Sequence, residues 1–413
     1  MIGIQALNMF ARRSGLIKKN VFQARVATRF INSSALKITP NASASIDDMP
    51  PKEELQFGTT FAPHMLTISY SDGKWHDPEI VPYGDLAISP AASCLNYGMT
   101  CFEGMKAYRS LTENDSSICL FRPDKNMERL SSSMERLSLP GYDFDQNELI
   151  KCIMKLLDVD QEWIPKGEGY SLYMRPNVIA MNRHLGLANP DSLLLYVCTS
   201  PVGPYYKSGF KPVRLWCESK YVRATKGGTG NYKIGGNYAP TMKPAKEALD
   251  RGFQQVLWLL NDEITEVGAM NVFFVIEKDG TSSSGKKRRE IVTAPLERRD
   301  ILPGVTRLSI IELAQKKWSE EDKNDPDGEY EYEMSERNIT IHEVKEAVEN
   351  GTLVEAFGAG TAAVVTPIEC IHYDGVNLDI PATGDITHRA WNDLLSIQYG
   401  KVPDHPWSVK VET

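Results

Sequence analysis

The spacing of apolar residues predicts alternating helices and strands along most of this 413-residue chain. Met127, Leu130, Met134 and Leu137 recur at the three- and four-residue intervals of one helical face, which predicts a helix over residues 126–137. Similar reasoning predicts further helices over residues 147–157, 242–251, 341–350 and 305 to about 318. Short apolar stretches bounded by turn residues predict strands over residues 64–69, 118–122, 170–175, 192–199, 213–217, 253–260, 272–277, 289–294 and 353–358.

The order of these elements predicts two domains of unequal size. Folded sequence is expected from about residue 50, with a smaller N-terminal domain over residues 47–201. Residues 202–212 contain glycine and proline and are otherwise largely polar, which predicts a linker. Residues 213–413 form the larger domain. Strands and helices mixed in two unequal layers favour an α+β fold over a doubly wound sheet.

The first 46 residues differ in composition from the rest of the chain. They contain seven basic residues and no aspartate or glutamate, and Phe22, Val26 and Phe30 recur at helical spacing beside a basic stripe. This pattern is typical of a mitochondrial presequence, so residues 1–46 are predicted to direct the protein to the mitochondrial matrix. The alternative is a disordered basic tail.

Charge and cysteine content argue against several classes of function. The net charge of −8 argues against a general nucleic-acid binder, and no apolar run approaches the roughly 20 residues that span a bilayer. The seven cysteines include no CxxC pair and no Cys/His cluster, so reduced thiols and no metal site are predicted. The basic run at 286–289 and the acidic stretch at 320–333 both predict exposed loops.

Lys233 is the most unusual position in the sequence. It is the only charged residue in the glycine-rich and aromatic segment 230–240. Such a lysine either holds a phosphate or is a desolvated amine with a lowered pKa that can form a Schiff base. The Walker pattern is absent, which favours the amine. A lysine that reaches the surface beside a glycine-rich turn is the structural alternative.

Four further features would complete a cofactor site around this amine. Glu266 precedes a predicted buried strand, where a carboxylate needs a positive partner such as a protonated pyridine nitrogen. The helix start at 302–306 offers backbone N–H groups to an anion, and the small residues at 358–362 allow close approach to a ligand. Arg129 lies at the flank of its helix, within reach of a phosphate. Each feature alone also fits an exposed turn or a surface side chain, but together they match the needs of pyridoxal phosphate.

These segments closely resemble the branched-chain amino acid aminotransferases, a family of fold-type IV pyridoxal-phosphate enzymes. The resemblance extends from about residue 50 to the C-terminus, through motifs at residues 57–61, 101–108, 121–123, 126–129, 171–176, 230–240, 265–271 and 360–362. It implies a smaller N-terminal α/β domain, a larger C-terminal domain with a pseudo-barrel, and a homodimer. It also implies ping-pong transfer of an amino group between L-leucine, L-isoleucine or L-valine and 2-oxoglutarate.

The resemblance assigns roles around the cofactor. Lys233 would bind the pyridoxal phosphate covalently and move the proton during catalysis, Glu266 would pair with the pyridine nitrogen, and Tyr238 would bond to the ring hydroxyl oxygen. Leu302 would pack on the ring. The phosphate would be held by Arg129, the amides of Val305 and Thr306, and Thr361.

The resemblance also assigns substrate contacts. Phe57, Phe102, Tyr173 and Tyr238 would form the walls of an apolar pocket, with Thr361 and Ala362 as further substrate contacts. Tyr97 and Arg175 would help to receive carboxylates, although Arg175 could instead hold a tyrosine in place. Leu185 and Leu187 would reach into the pocket of the partner subunit.

Two positions depart from the family pattern. Ala363 and Thr366 stand where many animal members carry a redox-active CxxC, so thiol switching is not expected there. Ala269 stands where threonine is common, which removes one hydroxyl beside the substrate. The alternatives that share this fold are a D-amino acid transaminase and an aminodeoxychorismate lyase, and a non-catalytic cofactor-binding protein is the alternative of another class. The sequence leaves open whether the role is biosynthetic or catabolic.

Overall fold

The computed structural model describes residues 30–204, 211–381 and 384–411. Within these ranges the chain forms two β-sheets with α-helices packed against them. The strands are β1 (Lys37–Ile38), β2 (His64–Ser71), β3 (Lys74–Trp75), β4 (Glu79–Pro82), β5 (Thr100–Phe102), β6 (Met105–Arg109), β7 (Ile118–Phe121), β8 (Ser171–Ala180), β9 (Leu193–Val202), β10 (Val213–Glu218), β11 (Gln255–Leu260), β12 (Glu263–Val267), β13 (Asn271–Thr281), β14 (Lys287–Thr293), β15 (Tyr330–Glu336), β16 (Leu353–Gly360), β17 (Val364–Tyr373), β18 (Val376–Asp379) and β19 (Ser408–Val411). The helices are α1 (Ser93–Tyr97), α2 (Pro123–Arg136), α3 (Gln146–Val159), α4 (Met242–Asp250), α5 (Val305–Leu313), α6 (Ser319–Asn324), α7 (Ile341–Glu349) and α8 (Asp385–Gln398), and a π-helical stretch (Ala314–Trp318) joins α5 to α6.

The first sheet contains ten strands in the order β1-β4-β2-β9-β8-β6-β7-β19, with β3 paired to β2 and β5 paired to β8. Helices α2 and α3 pack on this sheet. Met127, Leu130 and Met134 of α2 are fully buried there, so the apolar stripe read from the sequence faces the core as predicted.

The second sheet contains nine strands in the order β12-β11-β10-β17-β16-β13-β14-β15, with β18 paired to β17. It is a curled half-barrel, with Phe273 of β13 and Phe357 of β16 buried on one face and Phe274 of β13 buried on the other. Helices thus combine with two mixed sheets, which confirms the predicted α+β fold.

Both ends of the described chain pack on the first sheet. Ile31 is buried in its core, and the backbone N–H and hydroxyl of Ser33 donate to Glu148 at 2.7 and 2.6 Å. Ile31 and Ser33 therefore pack on this sheet although they precede the expected start of folded sequence at residue 50, because a short apolar segment can be buried within a basic region. At the other end, β19 pairs with β7, so the last strand of the predicted larger domain completes the sheet of the smaller one. The part of the predicted presequence before residue 30 lies outside the described residues.

Two predicted exposed loops are in fact regular elements. The acidic stretch at 320–333 contains most of α6 and the start of β15, and the basic run at 286–289 opens β14. Strands β14 and β15 pair in parallel, and Lys287 lies 2.8 Å from Glu329 while Arg288 lies 3.1 Å from Glu333. The loop predictions were wrong because the opposite charges of two distant segments meet across a strand pair.

Among the helices of the described ranges, none has the length and apolar character needed to cross a membrane.

Candidate active site

A cavity of about 430 Å³ lies between the two sheets and receives side chains from both. Twelve of the sixteen residues predicted to form the site line it, namely Phe57, Phe102, Arg129, Tyr173, Arg175, Lys233, Tyr238, Leu302, Val305, Thr306, Thr361 and Ala362. The exceptions are Glu266, Tyr97, Leu185 and Leu187. Segments separated by up to 305 residues in the sequence (57 to 362) therefore meet at one place.

The segment that carries Lys233 is attached to the first sheet by backbone bonds. The N–H of Phe102 donates to the carbonyl of Lys233 at 3.0 Å, and the N–H of Lys233 donates to the hydroxyl of Ser133 at 2.9 Å. Glycine is required nearby, because a Cβ at Gly230 would lie 2.7 Å from the carbonyl oxygen of Asp300. The backbone of the lysine is thus fixed from two sides.

The amine of Lys233 points into the cavity between aromatic rings. Its Nζ lies 3.3 Å from the hydroxyl of Tyr238 and 4.9 Å from the centre of the Phe102 ring. Removal from bulk water, helped by the charge of Arg129, lowers the pKa of Lys233 from 10.5 to about 7. This places a large fraction of the amine in the neutral, nucleophilic form near neutral pH. The surface-directed alternative is therefore wrong.

Glu266 lies in β12, buried behind the cavity lining. Its Oε1 accepts a bond from the backbone N–H of Leu302 at 2.7 Å, and its Oε2 lies 2.7 Å from Nη2 of Arg223. Burial raises the pKa of Glu266, while the Arg223 charge opposes that rise. Sequence reasoning missed Arg223, and no local pattern distinguished it from the other scattered basic residues.

The N-terminus of α5 forms another part of the cavity lining. Gly304 precedes the helix and has no side chain that could accept a hydrogen bond from the amides of Val305 and Thr306. A Cβ at Gly304 would lie 2.1 Å from Oδ1 of Asn271, so a larger residue would displace Asn271 from its bonds to Glu266 and Leu302. Backbone N–H groups at a helix start attract anions, and the cavity lining includes both amide-bearing residues.

Arg129 is held at this helix start by a buried ion pair. Its Nε lies 2.7 Å from Oε1 of Glu103, its Nη2 lies 2.8 Å from Oε2, and its Nη1 donates to the carbonyl of Pro303 at 2.9 Å. Glu103 is fully buried and also accepts from Asn126 at 2.8 Å. The sequence placed Glu103 in a family motif but gave it no role, because its partner lies on a different element.

Aromatic rings line the remaining part of the cavity. Phe57 packs edge-on against Tyr173 with ring centres 4.7 Å apart, and Phe102 packs against Tyr238 at 5.0 Å. Arg175 lies over the rings of Phe102 and Tyr173 and donates to the Tyr173 hydroxyl at 3.1 Å. The contact with Tyr173 fits the predicted structural role of Arg175, while its place in the lining also fits carboxylate binding.

Tyr97, Leu185 and Leu187 lie on the surface, outside the cavity. The Tyr97 hydroxyl donates to the carbonyl of Leu185, and the two leucines are 67% and 75% exposed. The structure does not bring these three residues into the cavity of their own chain. Their predicted contribution to a partner's pocket stays a prediction.

Comparisons with known proteins agree with this arrangement. Residues 100–371 match the family described as amino-transferase class IV. The chain is 45% identical over 367 residues to the branched-chain-amino-acid aminotransferase of Dictyostelium discoideum, covering 87% of this chain and 91% of the relative. It is 46% identical over 389 residues to the mitochondrial enzyme of that name from Saccharomyces cerevisiae, covering 92% and 93%, and 46% identical over 386 residues to the cytosolic one, covering 92% and 97%.

Solved structures show the same fold. The branched-chain aminotransferase of Thermoproteus uzoniensis with norvaline superposes with a TM-score of 0.64 at 26% identity, covering 84% of this chain and all of that one. The enzyme of Thermobaculum terrenum, described in its PLP-form, superposes with a TM-score of 0.65 at 18% identity, covering 86% and 99%. The chain therefore belongs to the branched-chain-amino-acid aminotransferases within the amino-transferase class IV family.

Proposed function

We propose that this protein transfers the amino group of L-leucine, L-isoleucine or L-valine to 2-oxoglutarate, and catalyses the reverse reaction, with pyridoxal phosphate bound in the cavity between the sheets. The observation that supports this proposal most is Lys233. It is an amine with a pKa of about 7, set between aromatic rings in a cavity of about 430 Å³.

The donor set around Lys233 fits this cofactor. Glu266 would pair with the ring nitrogen, since Leu302 and Arg223 hold its carboxylate in place and the Arg223 charge opposes its protonation. The start of α5, Arg129 and Thr361 would hold the phosphate, Tyr238 would bond to the ring hydroxyl oxygen, and Leu302 would pack on the ring. When bound, pyridoxal phosphate supplies an electron sink that stabilises negative charge at the substrate's Cα.

The protein's own groups handle the proton and the substrate. Because a large fraction of Lys233 is neutral near pH 7, its Nζ has the lone pair needed to take the proton from the substrate's Cα. The rings of Phe57, Phe102 and Tyr173 exclude water from an aliphatic side chain. Leucine, isoleucine and valine should all be accepted, because one methylene changes discrimination by only about 1–3 kcal/mol.

Glutamate and 2-oxoglutarate require a second recognition group in the same pocket. Arg175 is the proposed contact for their distal carboxylate, because it lies in the lining and its buried Nε has no hydrogen-bond partner among the described residues. An unpaired donor beside apolar rings allows one pocket to accept both an aliphatic side chain and a carboxylate.

A covalent test distinguishes this function from simple cofactor binding. The protein loaded with pyridoxal phosphate is reduced with borohydride and mapped by peptide mass spectrometry, and the label is expected on Lys233. Lys233→Ala should abolish transamination. Lys246→Ala, which alters an exposed lysine of α4, should leave it unchanged. A label on another residue, or turnover by the Lys233→Ala variant, would refute the assignment.

Product chirality separates the proposed reaction from that of a D-amino acid transaminase. With 2-oxoisocaproate and L-glutamate as substrates, chiral chromatography should detect L-leucine. Formation of D-leucine would contradict the proposal.

The homodimer and the mitochondrial location belong to the same proposal. The exposed Leu185 and Leu187 support a contact with a second copy, and light scattering of the purified protein should give twice the mass of one chain. The acid-free N-terminal region supports import, although relatives include mitochondrial and cytosolic enzymes. Mass spectrometry of native protein should show an N-terminus beyond Met1, and an intact Met1 would argue against import with cleavage.

A further inference from the structure

The turn between β16 and β17 forms one wall of the active-site cavity. Gly360 pairs with Val364, so residues 361–363 are a three-residue connection. Thr361, Ala362 and Ala363 all line the cavity. A change in the shape of this turn would therefore alter the space that faces the substrate.

The backbone of this turn is strained. Val364 has a φ of 61°, a left-handed conformation that is rare for a β-branched residue. Such a conformation is unfavourable and persists only where the surrounding structure enforces it. At the other end, a Cβ on Gly360 would lie 3.0 Å from Cγ of Met270. The turn therefore needs contacts that keep it in place.

Lys106 provides such a contact from the opposite sheet. It lies in β6, is only 7% exposed, and its Nζ donates to the carbonyl oxygen of Ala362 at 2.8 Å. Burial lowers the pKa of Lys106 to about 8, so the amine is still mainly charged at pH 7. A hydrogen bond from a charged donor is stronger than one between neutral groups, so this bond helps to hold the strained backbone at Val364 in place.

A second cavity of about 270 Å³ lies behind the turn, and its lining includes Lys106, Ala362, Val364 and Trp391. The hydrogen bond from Lys106 to Ala362 joins the two sheets, and these two residues lie 256 positions apart in the sequence.

We infer that Lys106 is a positioning residue that fixes the Ala362 carbonyl and thereby keeps Thr361 and Ala362 in place in the cavity wall. This inference rests on the proposed function, because that function places Thr361 beside the phosphate and the substrate in the same cavity. Lys106 itself acts through the turn and does not touch the substrate.

The test compares Lys106→Met, which removes the donor, with Lys106→Gln, which keeps a donor without the charge. Loss of the bond should raise KM for leucine and for 2-oxoglutarate about 10- to 100-fold in the Met variant, with a smaller change in kcat. Hydrogen–deuterium exchange of the amides at 361–364 should become faster in the same variant, measured without added cofactor. Lys106→Gln should stay closer to the original protein in both measurements.

Lys410→Met is the matched control, because Lys410 is an exposed lysine of the same sheet. It should change neither measurement. Native-like exchange and KM in Lys106→Met would overturn the inference, and Lys106→Leu replaces that variant if it does not fold. If the original protein shows no transamination, the proposed function fails, and native-like exchange at the turn would still overturn the role of Lys106.

Discussion

Replacing Glu103 by glutamine tests how the protein holds Arg129. The substitution keeps the shape of the side chain and removes its charge, which leaves the Arg129 guanidinium without its bidentate partner at 2.7 and 2.8 Å. Both side chains are almost completely buried, at 0% and 7% exposure. Removing one partner of a buried ion pair costs about 3–5 kcal/mol, because the remaining charge stays out of water. The glutamine carbonyl retains one acceptor, so the expected loss is near 3 kcal/mol.

The assay is thermal melting of cofactor-free protein with and without added pyridoxal phosphate. Without cofactor, Glu103→Gln should melt clearly below the original protein. Added cofactor should raise the melting temperature of the variant more than that of the original, because a phosphate beside Arg129 replaces part of the missing negative charge. Glu128→Gln is the control, because Glu128 is an exposed carboxylate of the same helix as Arg129. This variant should have the same melting temperature as the original protein. Equal melting of Glu103→Gln and the original protein, or equal stabilisation by the cofactor, would refute the reasoning.

Three further predictions concern the amine, the helix start and substrate choice. Covalent incorporation of pyridoxal phosphate at Lys233 should slow as the pH falls through about 7, because the lowered pKa means that the amine becomes protonated there, and a stopped-flow absorbance titration measures this. Gly304→Ala should weaken cofactor binding at least about tenfold in equilibrium titration, since its Cβ would lie 2.1 Å from Asn271, whereas Gly236→Ala, with open space around its Cβ, should bind normally. Arg175→Met should lower kcat/KM for glutamate at least about tenfold more than for leucine in steady-state assays, and equal losses would assign Arg175 a structural role.

The helices show how much local sequence determines. The predicted helices at 126–137, 147–157 and 242–251 correspond to α2, α3 and α4 with small shifts at their ends. Their apolar periodicity is a local property, and a helix satisfies its backbone hydrogen bonds within itself. Strands β2, β9 and β13 were also found, because each carries its own apolar stretch bounded by turn residues.

Elements whose stability comes from distant partners were not found in the same way. Strand β15 is acidic and is stabilised beside the basic β14, while β17 was not predicted at all. Helix α8 was also missed, although its pattern is local. Strand β19 joins the first sheet only because the chain returns to β7 from the far end of the sequence. A strand leaves its backbone groups to be paired by another segment, so its existence depends on a partner that a local pattern does not identify.

The same distinction between local sequence and distant partners applies to the candidate site. Lys233, Glu266 and the start of α5 carry their chemistry in their immediate sequence surroundings, so the sequence alone determined the kind of cofactor and reaction to expect. The partners Glu103 and Lys106 were decided by the tertiary structure, because the groups that they bond to lie 26 and 256 residues away. Glu103 meets Arg129 only after α2 has packed on the first sheet, and Lys106 meets Ala362 only after the two sheets have packed together. Charge and hydrogen bonding act over a few ångströms in space, whatever the separation along the chain.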